Sequence, residues 1–238
     1  MRAARTLFAS NQFCYSLYDK RVSRVNSQGV SVIRTFLFDM GNVLVHFSHD
    51  RMCSQIGALC GRTGYELRQF LIESGWQWDF ERGLVTPEEF HQWFESKFKT
   101  KVDLQKLAHA ASDIFTLNRP IVPVLDELKS RGYRLVLLSN TSVFHYEFVR
   151  KQFQVLDRFD DFVLSYQVHA LKPQPEIYEA ALKKIGCDAP ECFYTDDIPQ
   201  YVEHGRKHGL DAEVFTTVDS LKHQLAIRGI HLRNGVIV

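Results

Sequence analysis

The chain has 238 residues, 45% of them apolar and 24% charged, with a formal net charge of +1. That length suits one large domain or a core domain carrying an insert, in an ordinary globular mixture. No apolar run approaches the roughly eighteen residues that a membrane-crossing helix needs, so no membrane partner is expected.

Charge is unevenly placed. Residues 1 to 34 hold six basic residues (Arg2, Arg5, Lys20, Arg21, Arg24, Arg34) and one acid, Asp19. Residues 1–31 therefore read as a leader outside the fold. Its Arg- and Ser-rich, acid-poor make-up is shared by organelle transit peptides, by disordered tails and by start codons placed too far upstream. It lacks a long apolar segment, which disfavours secretion. A cytoplasmic location is expected, or an organelle if the leader is a transit peptide. The rest of the chain is net negative, which argues against nucleic acid as a partner. Five cysteines (Cys14, Cys53, Cys60, Cys187, Cys192) form no CxxC pair. An odd, scattered set suits reduced thiols better than a disulfide framework, and no histidine stands beside them at zinc-ligand spacing.

From residue 32 onward, VIRTFLFDMG reads as a first strand. Residues 48–118 then carry no convincing strand and several helical segments, among them TGYELRQFLIESG and TPEEFHQWFESKF. In the second, Thr86 precedes Glu89 at capping-box spacing, with Pro87 at the first helical position. Beyond them strand and helix alternate: PIVPVLDELKSRG, YRLVLLSNTS, SVFHYEFVRKQF, FDDFVLSYQ, PEIYEAALKKIG, CFYTDD, QYVEHGRKHG, and a final short strand and helix in AEVFTTVDSLKHQLAIRG. Gly132, Gly186 and Gly209 stand where helix C-terminal caps are expected. The pattern predicts an α/β fold with a doubly wound parallel sheet, built from residues 32–47 and 119–238, and a helical cap at 48–118 inserted after the first strand.

In such a sheet ligands gather at the carboxyl ends of the strands. The residues there are Asp39; Ser139 and Asn140; Lys172; and Asp196 with Asp197. Clustered carboxylates repel each other unless a divalent cation neutralises them, and Mg²⁺ prefers hard oxygen ligands. A cation, a lysine and a hydroxyl together make a pocket for an anion such as phosphate. Taken singly, each residue has an ordinary reading as a turn, cap or loop residue. The ordered set is what carries the inference.

FLFDMGNVLV, VLLSNT, LKPQPEIY and CFYTDD together resemble the four motifs of the haloacid dehalogenase-like hydrolase superfamily, with a Rossmann-like core and a helical cap. The likeness spans about residues 33 to 230, and ERG at 81–83 followed by TPEEF is similar to the cap of that group. It implies that Asp39 is a nucleophile forming an aspartyl-phosphate, and that Ser139 and Asn140 bind the phosphoryl oxygens. Lys172 would hold Asp39 ionised. Mg²⁺ would be bound by Asp39, Asp196, Asp197 and the backbone carbonyl of Gly41. The implied activity is a phosphatase of small phosphorylated metabolites, with sugar phosphates leading.

One departure stands out. Gly41 replaces the second aspartate, which in the common pattern donates and accepts the leaving-group proton, a role worth roughly 10²–10⁴-fold in rate. Asp-x-Gly-Asn is similar to α-D-glucose-1-phosphate phosphatases, whose anomeric leaving group is already acidic. The alternatives are an impaired phosphate-binding or interaction protein, and a dehalogenase. Dehalogenases need no Mg²⁺, so the Asp196-Asp197 pair counts against that option. His169 and Tyr201 depart from the family pattern too. His169 is a candidate for proton transfer, or a loop residue tolerating an unusual backbone angle. Of the cap aromatics (Trp76, Trp78, Phe80, Phe90, Trp93, Phe94), most are expected in the cap's own core, with Trp76–Phe80 a possible sugar platform. His46 and His49 are expected as solvated hinge residues.

Overall fold

The computed structural model describes residues 32–233. The leader and Cys14 lie outside the described residues. Five strands form one parallel sheet: β1 (Thr35–Phe38), β4 (Arg134–Ser139), β5 (Asp161–Leu164), β6 (Cys192–Asp196) and β7 (Asp211–Val214), in the order β5-β4-β1-β6-β7. The three central strands are buried almost end to end, as a sheet covered on both faces requires, whereas the edge strand β7 is mostly half-buried. Alternation sorts the side chains. Phe36, Phe38, Leu135 and Leu137 enter one apolar cluster, while Leu37, Val136, Leu138 and Tyr194 enter the other.

Helices α6 (Val122–Ser130), α7 (Val143–Gln152), α8 (Ser165–Val168), α9 (Pro175–Lys184), α10 (Pro199–Lys207) and α11 (Val218–Ile227) supply the crossovers and the final element. The glycines following α6, α9 and α10 all adopt positive φ, as their cap positions predict.

The insert is helical: α1 (His49–Leu59), α2 (Gly64–Ser74), α3 (Trp76–Glu81), α4 (Pro87–Phe98) and α5 (Leu104–Ser112). The Thr86–Glu89 capping box forms in full, with Glu89 N–H donating to Thr86 Oγ1 at 3.1 Å and Thr86 N–H to Glu89 Oε2 at 2.8 Å. The expectation that 48–118 holds no strand is corrected. β2 (Val45–Phe47) and β3 (Phe115–Leu117) pair antiparallel where the chain leaves and re-enters the core. Three residues per strand are too short for an alternation pattern to reveal, and pairing across the insert is non-local.

Cap packing follows the expectation, with one exception. Trp76 stacks on Trp93 at 4.6 Å and Phe80 on Phe90 at 4.9 Å, and Phe80, Phe90 and Phe94 are buried. Trp78 is exposed. His46 and His49 are exposed as well. The cap's buried residues belong to the same apolar cluster as one face of the sheet, so cap and core share a continuous interior on that side.

Candidate active site

Sheet register builds the site. Phe38 lies opposite Thr195, which places the next residues, Asp39 and Asp196, side by side, and Asp39 N–H donates to the Thr195 carbonyl at 3.0 Å. Carboxylate oxygens of Asp39, Asp196 and Asp197 all lie within 4.8 Å of one another. Lys172 reaches in from the loop beyond β5, and its Nζ donates to Asp39 Oδ1 and to Asp196 Oδ2 at 2.6 Å each. It also lies 3.2 Å from the Leu138 carbonyl. Lysine and both aspartates are buried.

Burial raises the Asp39 carboxyl, Lys172 pulls it down and Asp196 pushes it up again, leaving it at about 7 against an ordinary 3.8. Burial opposes charge on Lys172, yet Asp196 and Asp39 outweigh it and hold the ammonium above the ordinary lysine value. A divalent cation among the three carboxylates would draw Asp39 back to its ionised, nucleophilic form. The donor set fits such an ion. Lys172 takes one oxygen of Asp39 and Asn42 Nδ2 takes Asp197 Oδ2 at 2.9 Å. Among the described residues, the other oxygen of each has no side-chain donor. Hard oxygens in this number suit Mg²⁺.

The remaining candidate residues stand as follows. The Asn140 side chain is committed to the backbone of Lys172, accepting its N–H at 2.7 Å and donating to its carbonyl at 3.1 Å. Asn140 thus positions the lysine, and its amide is not turned toward a phosphoryl group. Ser139 is buried at the end of β4. His169 adopts φ +62°, and its Nδ1 lies 3.0 Å from the Arg82 carbonyl in the cap. Tyr201 presents its ring 5.1 Å from Lys172 Nζ.

Three contributors were missed in the sequence. Tyr194 OH donates to Asp196 Oδ2 at 2.6 Å. The signal was available, because residues two apart on a strand share a face. Asn42, at φ +52°, anchors Asp197. Phe47 covers Gly41: a Cβ added there would meet the Phe47 ring at 2.9 Å. No local pattern reveals that last contact, since it depends on how β2 folds back.

A parallel sheet with a helical insert after its first strand, and an acidic, lysine-bridged cluster at the strand ends, defines a capped α/β hydrolase. Residues 33–209 match the haloacid dehalogenase-like hydrolase family. The chain belongs to that family. It is 34% identical over 91 residues to the phosphatase MT3486 of Mycobacterium tuberculosis, a match covering 38% of this chain and 42% of that protein. It is 24% identical over 189 residues to a D-ribitol-5-phosphate phosphatase of Bacteroides thetaiotaomicron, covering 76% of this chain and 90% of the relative. Among solved structures, a HAD family enzyme of the same bacterium superposes with a TM-score of 0.73 at 25% identity, covering 82% of this chain and 99% of that one. A structure of that enzyme with magnesium and inorganic phosphate gives a TM-score of 0.67 at 25% identity, over 81% and 98%. The family match makes the chain a HAD-like hydrolase, and both of these curated relatives are phosphatases. The specific likeness to glucose-1-phosphate phosphatases rests on the first motif and the SNT run, and the relatives matched here do not show it. Among the described residues, no helix is long and apolar enough to cross a membrane.

Proposed function

We propose that the protein is a Mg²⁺-dependent phosphatase of small phosphorylated metabolites, sugar and sugar-alcohol phosphates first, working through an aspartyl-phosphate on Asp39. The observation that carries this reading is the buried Lys172 bridging Asp39 and Asp196 at 2.6 Å to each. A buried ammonium clamped between two carboxylates is costly to assemble for stability alone. It is well suited to orienting a carboxylate nucleophile and to offsetting phosphoryl charge.

In the first step an Asp39 oxygen bonds to phosphorus as the ester P–O bond breaks, and in the second water displaces Asp39. Asp39, Asp197 and the Gly41 carbonyl would hold Mg²⁺, with Asp196 contributing beside its bond to Lys172. When bound, the ion neutralises phosphate charge and keeps Asp39 ionised. Ser139 would donate its hydroxyl to a phosphoryl oxygen, and Asn140 would keep Lys172 in register. The sugar-phosphate class is supported by the ribitol-phosphate relative.

The test is phosphate release with and without Mg²⁺ from α-glucose 1-phosphate, glucose 6-phosphate and ribitol 5-phosphate, in wild type and Asp39→Asn. Loss of the nucleophile should lower turnover by roughly 10⁴-fold or more. Activity that survives Asp39→Asn, or that needs no metal, would remove the reading.

A further inference from the structure

The buried lysine at the centre of the site has committed every hydrogen it owns. Lys172 Nζ donates to Asp39 Oδ1 and Asp196 Oδ2 at 2.6 Å each, and to the Leu138 carbonyl at 3.2 Å. An ammonium has three donors and no acceptor, so a further oxygen or amide beside it would find nothing to bind. What stands beside it is the ring of Tyr201, with its centroid 5.1 Å from Nζ. The face of an aromatic ring is electron-rich and attracts a cation without needing a hydrogen.

We propose that Tyr201 is a positioning residue for the reaction, its ring face holding the Lys172 ammonium in place while Asp39 spends its negative charge on phosphorus. This rests on the phosphatase reading above.

Two sets of contacts support the assignment. First, the ring is anchored to the same network that it serves. Tyr201 opens α10 just after Asp196 and Asp197, where its N–H donates to the Ile198 carbonyl at 2.9 Å. Its own carbonyl accepts the Tyr178 hydroxyl at 2.9 Å. The buried Tyr178 ring meets Tyr194 edge-on at 6.3 Å, and the Tyr194 hydroxyl donates to Asp196 Oδ2 at 2.6 Å. One tyrosine thus binds Asp196, one fixes the turn, and one faces the lysine. The Tyr201 hydroxyl enters none of these contacts, so the ring is the part the site uses.

Second, the lysine is dry. Its side chain is only 1% exposed, so water does not compete with the ring for the charge. A desolvated cation gains more from a ring than an exposed one does. Lys97 over Phe70 and Arg150 over Tyr146 are cation–ring pairs too, but both cations are exposed.

The role follows from the movement of charge. In the resting site the ammonium faces two carboxylates. An Asp39 oxygen then gives an electron pair to phosphorus, and the ester oxygen leaves with the pair of the broken P–O bond. Asp39 becomes an acyl phosphate whose remaining oxygen is a neutral carbonyl. Lys172 is left with one carboxylate, Asp196, while the ring face keeps its electron density throughout. The weight of the ring in holding the ammonium therefore rises as the aspartyl-phosphate forms. An interaction that strengthens toward the transition state accelerates the step.

The experiment reads kcat/KM with Mg²⁺ for 4-nitrophenyl phosphate. Tyr201→Phe keeps the ring and should stay within about 2-fold of wild type. In that background, phenylalanines bearing one, two and three ring fluorines change the size little and strip electron density from the ring face in steps. Activity should fall in the same order, by about 3- to 30-fold at three fluorines. A packing role alone would leave the series flat, and a flat series would overturn the assignment. So would a Tyr201→Phe loss as large as that of Tyr201→Leu, because the hydroxyl would then be the working part. Urea midpoints on every variant separate a misfolded chain from a slow one. If Tyr201→Leu does not fold, the fluorinated rings fill the original space and still decide the question. Asp39→Asn run alongside separates the two failures. If it turns over like wild type, the phosphatase reading has failed and the role of Tyr201 falls with it. If it is inactive while the series is flat, only the Tyr201 assignment fails.

Discussion

On the core side of the site, Lys172 is clamped at 2.6 Å by both Asp39 and Asp196, and each of these groups stands at a strand end or in the loop just past one. On the cap side, among the described residues, no ion pair reaches the core. That wall is held through main-chain carbonyls, with Glu81 bonded to Ser165, Arg82 to His169 and Ala111 to His145. The core wall depends on particular side chains in a particular register. Beyond the apolar interior it shares with the core, the cap wall makes these polar bonds with backbone groups that almost any residue would supply. One wall can therefore keep its chemistry fixed while the side chains of the other change to suit a substrate.

The largest expected effect comes from breaking the core clamp. Lys172→Met leaves Asp39 and Asp196 buried without their partner, which should destabilise the metal-free protein by about 3–5 kcal/mol. Millimolar Mg²⁺ should return part of that loss, measured as the urea midpoint with and without the ion. An unchanged midpoint would mean that the clamp is not the element the core wall depends on.

Next in size is the seam. Gly83 has φ +66° and its Cβ direction runs into the Tyr166 backbone, whereas Gly75 has φ +73° with nothing nearby. Gly75→Ala should lower stability by about 1 kcal/mol through backbone strain alone. Gly83→Ala should lower it by about 2–3 kcal/mol through strain and the clash together, and should also raise KM by displacing the cap. Equal effects would show that the seam is looser than these contacts imply.

A pH experiment sharpens the same seam. Burial lowers the His145 imidazole to about 4 from an ordinary 6.5, with the Ala111 carbonyl opposing. The unfolded chain therefore takes this proton first as pH falls. The stabilisation is full above about pH 6.5 and is lost progressively toward pH 4, amounting to about 3 kcal/mol at the limit. His145→Asn should flatten stability across that window, read from urea midpoints at each pH.

The smallest effect concerns the filled position beside the nucleophile. Gly41→Asp should lower stability by about 1 kcal/mol by overpacking against Phe47, and Phe47→Ala in the same chain should relieve it. If Gly41→Asp alone were neutral, the ring would be free to swing aside.

How much of this was legible depends on distance along the chain. β1, β4 and β6 were readable because each is a continuous apolar run that ends abruptly in polar residues. The Thr86 capping box was readable because its partners are three residues apart. Lys172 and Asp196 were placed in the site through the motifs that carry them. Phe47 over Gly41 was not readable, and neither was the turning of the Asn140 amide onto Lys172. Both depend on loops that meet across 6 and 32 positions respectively, through packing that no local pattern encodes.

By itself the sequence determined the sheet, the helical insert and the identity of the strand-end residues, because apolar periodicity, caps and chain order are local properties. Only the tertiary structure decided which oxygen meets which proton. It placed Asp39 beside Asp196 through strand register, and it closed the space at Gly41 with Phe47. Register and burial are set by contacts between distant segments, and those exist only once the chain has folded.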